Sequence, residues 1–197
     1  MTIGMTSMYR TIFLLSTLLT SLPAAATAQN PSVLRQAERV TGDRFAVATR
    51  TPRGANIFAV RTPSTALLNA IDNGLTDLFT VARRNGYRNR LNYSDYSIFI
   101  ANADRTRNGP TYSPDIAVGA AQYAGSVYDA GGYVHAAGMV IARNPMAFVI
   151  AEHTADYPRV SNVVRYEGEH LVLYHNDRQR FAATADHSKG GGHPILQ

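Results

Sequence analysis

The stretch that decides the fold is Ser64 to Arg84, STALLNAIDNGLTDLFTVARR. Leu67, Leu68, Ile71, Leu75, Leu78, Phe79 and Ala82 recur at the three- and four-residue spacing of one helical face, which leaves Asp72, Asp77 and Arg83 outside it. Ser64 after Pro63 is a good N-cap, since its side-chain oxygen can accept a backbone N–H left free in the first turn. Asn85-Gly86 supplies the stop. A stripe this wide has to be covered, and a sheet is the cover the flanking sequence offers. Gly74 weakens the helix locally, and close packing against a neighbouring element is its simplest use.

Upstream, Arg44–Arg50 and Ala55–Arg61 are apolar and β-branched runs separated by Thr51-Pro52-Arg53-Gly54, which is turn chemistry and predicts a β-hairpin. Before the hairpin, Ser32 to Val40 reads as a short helix capped by Ser32 and stopped by Gly42. Downstream, Tyr96–Ala101 (YSIFIA) has the composition of a buried strand, and Asp104–Pro114 that of a polar loop. Ile116–Ala124 and Gly132–Ala142 read as strands whose alanines and glycines allow a close approach to the backbone. Met146–Ala151 is a last apolar strand ahead of Glu152-His153. This order predicts an α+β domain, with a mainly antiparallel sheet packed against one long amphipathic helix and a C-terminal helix.

Residues 1–28 read as a secretory signal peptide. Arg10 precedes the apolar run Ile12–Leu22, and a small-residue exit, Ala26-Thr27-Ala28, places cleavage before Gln29. Residues 29–197 are then one domain, expected to be secreted or periplasmic, with no transmembrane segment once the signal is removed. The apolar run is too short to span the ~30 Å of bilayer hydrocarbon. The absence of cysteine excludes a thiolate nucleophile, a cysteine-ligated zinc, a disulfide framework and a lipid-modified cysteine. Nineteen Lys and Arg against fourteen Asp and Glu favour weak attraction to anionic surfaces without amounting to a nucleic-acid signature.

Chemistry concentrates in the last third. All six histidines lie beyond residue 134, four of them after residue 169. Ser161 to about Asp177 permits a helix in which Glu167 and His170, three residues apart, project within about 60° of each other. With Tyr174 they form a stripe that a cleft can use. His170 and His175 are about 140° apart on a regular helix and cannot share an ion, so the H-E-x-x-H arrangement of zinc peptidases is not met. A metal bound by His170 needs partners from elsewhere, and His187 or His193 in the tail, which the Gly190-Gly191-Gly192 run leaves free to fold back, are the available ones. Ile195 and Leu196 are expected to dock the tail on the domain. Asp186-His187-Ser188 has serine-triad composition, but three adjacent residues have the wrong geometry for one.

Two functional readings follow. In the first, the chain is an exported hydrolase acting on a peptide or another small polar molecule through a peptide, ester or phosphoester bond. Water is activated by a divalent metal, zinc among the candidates, held by His170, His187 and His193, or by a Glu-His pair. Glu167 or Glu169 is the general base, and Tyr174 stabilises developing charge. Glu169 has a plainer use, an i,i+4 pair with Arg165. In the second reading the protein is a non-enzymatic binding module, with Arg83, Arg84, Arg88, Arg90, Arg105 and Arg107 interleaved with Tyr87, Tyr93 and Tyr96 to hold an anionic partner.

Overall fold

The computed structural model describes residues 30–103, 115–119 and 133–196. The segment expected to be a signal peptide, the expected loop at 104–114, the residues after Gly119 of the strand expected to reach Ala124, and Arg105 and Arg107 therefore lie outside the described residues. The first helix, α1 (Pro31–Thr41), ends as expected at Gly42 with a left-handed φ of 74°. Its cap is Asn30 rather than Ser32. The Asn30 side chain accepts from the Ser32 N–H at 3.0 Å, and Pro31 occupies the first turn, where its missing N–H is not needed.

The hairpin forms from β1 (Val47–Arg50) and β2 (Asn56–Ala59), paired antiparallel across a Thr51–Gly54 turn. The long helix α2 (Thr65–Arg84) follows, capped by the Ser64 side chain. It carries the chain over the sheet to β3 (Tyr96–Ala101), which pairs parallel with β2 as a helical crossover requires. β4 (Ile116–Gly119) and β5 (Tyr133–Ala136) make a separate antiparallel ribbon. The strand expected over 132–142 is interrupted at Ala137, and its second part, β6 (Gly138–Ala142), joins the main sheet instead. β6 pairs antiparallel with β7 (Met146–Ala151), which lies parallel to β3. The sheet order is β1-β2-β3-β7-β6. The α+β class is as expected, with antiparallel pairings in the ribbon and at both edges of the main sheet and two parallel pairings at its centre.

Strand alternation gives the sheet two apolar faces. Ile57, Ile98, Ile100, Phe148 and Ile150 meet α2 and α3 (Tyr157–Asn176), while Phe58, Phe99, Ala147 and Val149 meet α1 and the β4–β5 ribbon. Burial on both faces is why β3 and β7 read as continuous apolar runs. α2 and α3 lie close enough that a Cβ on Gly74 would stand 2.5 Å from the Ser161 carbonyl oxygen, and one on Gly168 would stand 2.5 Å from Leu78 Cδ2. Each glycine removes a side chain where the other helix needs room. Asp72, expected outside the apolar face of α2, is not exposed. It is buried, and its Oδ2 accepts the Arg53 backbone N–H of the hairpin turn at 2.9 Å.

α3 begins four residues before the expected start, at the Asp156 cap, whose side chain accepts from the Arg159 N–H. After Asp177 the chain reverses into a short helix that the sequence reading did not foresee, α4 (Arg178–Thr184). No helix among the described residues is long and apolar enough to cross a membrane.

Candidate metal centre

The reversal through α4 brings the tail back against α3. His187 sits in a short 3-10 turn (His187–Lys189) opened by Asp186, which accepts from both the N–H and the hydroxyl of Ser188. Ser188 thus completes a cap and is not a nucleophile paired with His187. Gly190 takes φ 82°, a value open to glycine at little cost, and Gly191 lies against the carbonyls of Thr184 and Asp186 where a Cβ would collide. The glycine run is therefore a shaped turn. It delivers His193 to α3, and Ile195 enters the core beside it, with Leu196 partly buried against the same cluster.

His170, His187 and His193 converge. Their ring centroids are 4.8 to 5.0 Å apart, and one ring nitrogen of each lies within 4.8 Å of the other two. These three side chains are close enough to hold a metal ion. Beneath them Glu169 is fully buried: Oε2 accepts from His193 Nδ1 at 3.0 Å and Oε1 from the Ile195 backbone N–H at 2.8 Å. It does not pair with Arg165. A carboxylate on Nδ1 leaves Nε2 as the lone-pair nitrogen of His193, the usual outer partner of a metal-binding imidazole. Tyr166, one turn before His170, stacks on the opposite side of His193 with centroids 4.6 Å apart. The sequence reading missed Tyr166, although its i,i+4 spacing to His170 was visible.

The electrostatics suit a cation. Burial, then the neighbouring imidazoles His193 and His187, pushes His170 down to about 3. Burial and His193 also lower His187, with Asp186 and Glu169 opposing. Both rings are thus neutral near pH 7, the form that coordinates. His170 Nδ1 and His187 Nε2 are buried with no hydrogen-bond partner. Buried nitrogens without a partner are costly, and a bound cation is one way to satisfy them.

The trio opens onto a cleft of about 820 Å³ whose other walls include Gln36, Met139, Val140, Glu167 and Tyr174. Glu167 lies over Gly138, where a Cβ would come within 2.7 Å of its Cγ, so the close approach expected on this strand is made by α3. Burial pushes the Glu167 carboxyl up to about 8, against a hydrogen bond from the Val140 backbone. Tyr174 lines the cleft one turn beyond His170, its ring stacked under the Arg178 guanidinium at 3.4 Å. His175 points elsewhere, to the Arg143 carbonyl at 2.8 Å. His153 is buried behind β7, held down by burial and by Arg159.

The arginine and tyrosine surface does not assemble as a stacking platform among the described residues. Tyr96 is fully buried in the core. Arg90 pairs with Asp95, Arg88 donates to the carbonyls of Arg83 and Tyr87, and the Tyr87 hydroxyl is spent on Asp177. Comparison of the chain with protein-family models, curated proteins and solved structures gives no match.

Proposed function

We propose that this protein is an exported, zinc-dependent hydrolase whose metal ligands are His170, His187 and His193. The observation that carries this reading is the convergence of three imidazoles, two with buried unpartnered nitrogens, on a cleft that also holds Glu167. Three neutral histidines are a common catalytic ligand set for zinc, and they leave one coordination position open. When bound there, the ion would lower the pKa of a water and polarise the substrate bond.

The chain's own residues divide the remaining work. Glu169 is the positioning carboxylate, because both its oxygens are committed to the tail and none reaches the cleft. Glu167 is the proton carrier. With a carboxyl near 8 it holds a proton at neutral pH in the metal-free protein, and a cation beside it favours the ionised form that can act as a base. Tyr174 is placed to donate to charge developing on the substrate. The bond cleaved is of the peptide, ester or phosphoester class, and the signal-like segment before Gln29 supports export.

Zinc titration followed by calorimetry and thermal melting tests the reading. We expect one zinc per chain, with stabilisation of about 2.7 kcal/mol once free zinc exceeds its Kd a hundredfold. His170→Ala should remove both effects. Absence of bound metal, together with a melting temperature unmoved by zinc, would sink the proposal. N-terminal sequencing of the exported protein tests the compartment, with Gln29 as the expected first residue.

A further inference from the structure

The cleft holds a second feature that the hydrolytic reading leaves unused. Arg143 follows β6 directly and lines the cleft with Tyr174 and Phe181. Its guanidinium carbon stands 5.1 Å from the Phe181 ring centroid and 5.6 Å from that of Tyr174. Its backbone is held too, by the bond from His175 Nε2 to its carbonyl. Arg178, on α4, stacks on the same Tyr174 ring.

Two guanidinium groups therefore flank one aromatic ring, and among the described residues neither makes an ion pair. The nearby Asp177 carboxylate is occupied by Arg180 and the Tyr87 hydroxyl. Ring contacts attract each cation by about 0.5 to 1 kcal/mol at an exposed site, but they leave the N–H edges of the fork unspent. A planar fork fixed by stacking is what bidentate binding of an oxyanion requires. Tyr174 lies one helical turn from His170, about 6 Å along the axis, so an anion at Arg143 would sit near the reacting centre without occupying it.

We propose that Arg143 is an anion seat of this cleft, and that the substrate carries a carboxylate or phosphate about one residue's length from the bond attacked. The substrate class rests on the hydrolase reading, while the seat itself needs no metal. The probes are N-acetyl-glycyl-glycine, its C-terminal amide and inorganic phosphate. Each is titrated calorimetrically into metal-free and zinc-loaded protein.

Loss of one charge-assisted contact of about 1.4 kcal/mol or more predicts that the free acid binds at least tenfold tighter than the amide, in both metal states. Phosphate should compete with the acid. Arg143→Gln should erase the difference, and Arg143→Lys, which keeps the charge but loses the fork, should recover only part of it. Zinc affinity should be the same in all these variants, and melting curves establish that they fold. Tighter binding of phosphate than of the acid identifies a phosphoester substrate, and the reverse order a carboxylate. Equal binding of acid and amide with no response to phosphate overturns the proposal. So does a preference that survives Arg143→Gln, or one seen only with zinc loaded. Loss of zinc binding with the acid preference intact would remove the metal reading and leave the seat standing.

Discussion

One helix, α3, serves two regions built on opposite principles. Where it crosses α2, the contact is apolar and made close by absence, with Gly74 and Gly168 each opening space for the partner helix. Where it meets the tail, the contact is polar and made by supply: a fully buried Glu169 accepts from two tail groups and three imidazoles gather above it. The first region tolerates almost no added volume, while the second tolerates no lost partner. The difference separates a surface made for fit from one whose stability is tied to buried polar partners and to pH.

The sharpest way to break the comparison is at Glu169. Its replacement by alanine leaves the His193 and Ile195 donors unpaired beside a cavity, and we expect a loss of about 3 to 5 kcal/mol in urea unfolding, from two buried donors left unsatisfied at about 1 to 3 kcal/mol each. Deleting residues 190–197 should cost a similar amount, since it strands the same carboxylate. The deletion should cost clearly less in a Glu169→Ala background than in the native chain. Strict additivity would show that the tail and Glu169 are energetically independent.

Burial of Glu167 ranks next. Its folded-state pKa of about 8 exceeds the ordinary 4.5, so the protonated form is favoured by folding. The associated stability is complete below about pH 4.5 and is lost as pH rises through 8, at most about 5 kcal/mol at 1.36 kcal/mol per unit. The metal-free protein should weaken over that window relative to Glu167→Gln. Parallel stability curves from pH 4.5 to 8.5 would contradict this. His170 and His187 act in the opposite sense, because their pKa values are depressed. Their contribution is present above about 6.5 and fades as pH falls, so His170→Ala should flatten the acid limb.

The helix crossing gives smaller effects. A methyl on Gly74 meets a backbone carbonyl that cannot swing away, and we expect Gly74→Ala to cost about 2 kcal/mol even after the gain of about 1 kcal/mol in helix propensity. Gly168→Ala meets only the flexible end of Leu78 and should cost about half as much or less. Equal costs would mean that the helices separate as rigid rods. Smallest of all, Tyr166→Ala should lose about 0.5 kcal/mol through its stack on His193 and weaken zinc binding only slightly, since Tyr166 is 41% exposed.

Where periodicity and caps act locally, the structure follows the sequence closely. Ser64 caps α2, the β1–β2 turn sits at Thr51–Gly54, and β3 and β7 have the expected bounds. Readings that depended on a distant partner went astray. Asp72 read as solvent-facing because nothing nearby in sequence announces the Arg53 N–H that buries it. The break at Ala137 was hidden because β5 and β6 are alike in composition and differ only in which sheet receives them. α4 is not legible in the sequence because RQRFAAT makes only about two turns with a single large apolar side chain, too little for a periodic signal.

At the candidate site the sequence by itself determined the ingredients: three histidines in the last third, two carboxylates on one helix, and a glycine run able to bring the tail back. Helical spacing already ruled out His175 as a partner of His170. What only the tertiary structure decided is which groups meet and which face water. Glu167 and Glu169 are two residues apart and chemically alike. One lines the cleft and the other lies fully buried under the tail, because positions two apart on a helix point about 200° apart and the two sides of α3 are covered by different elements.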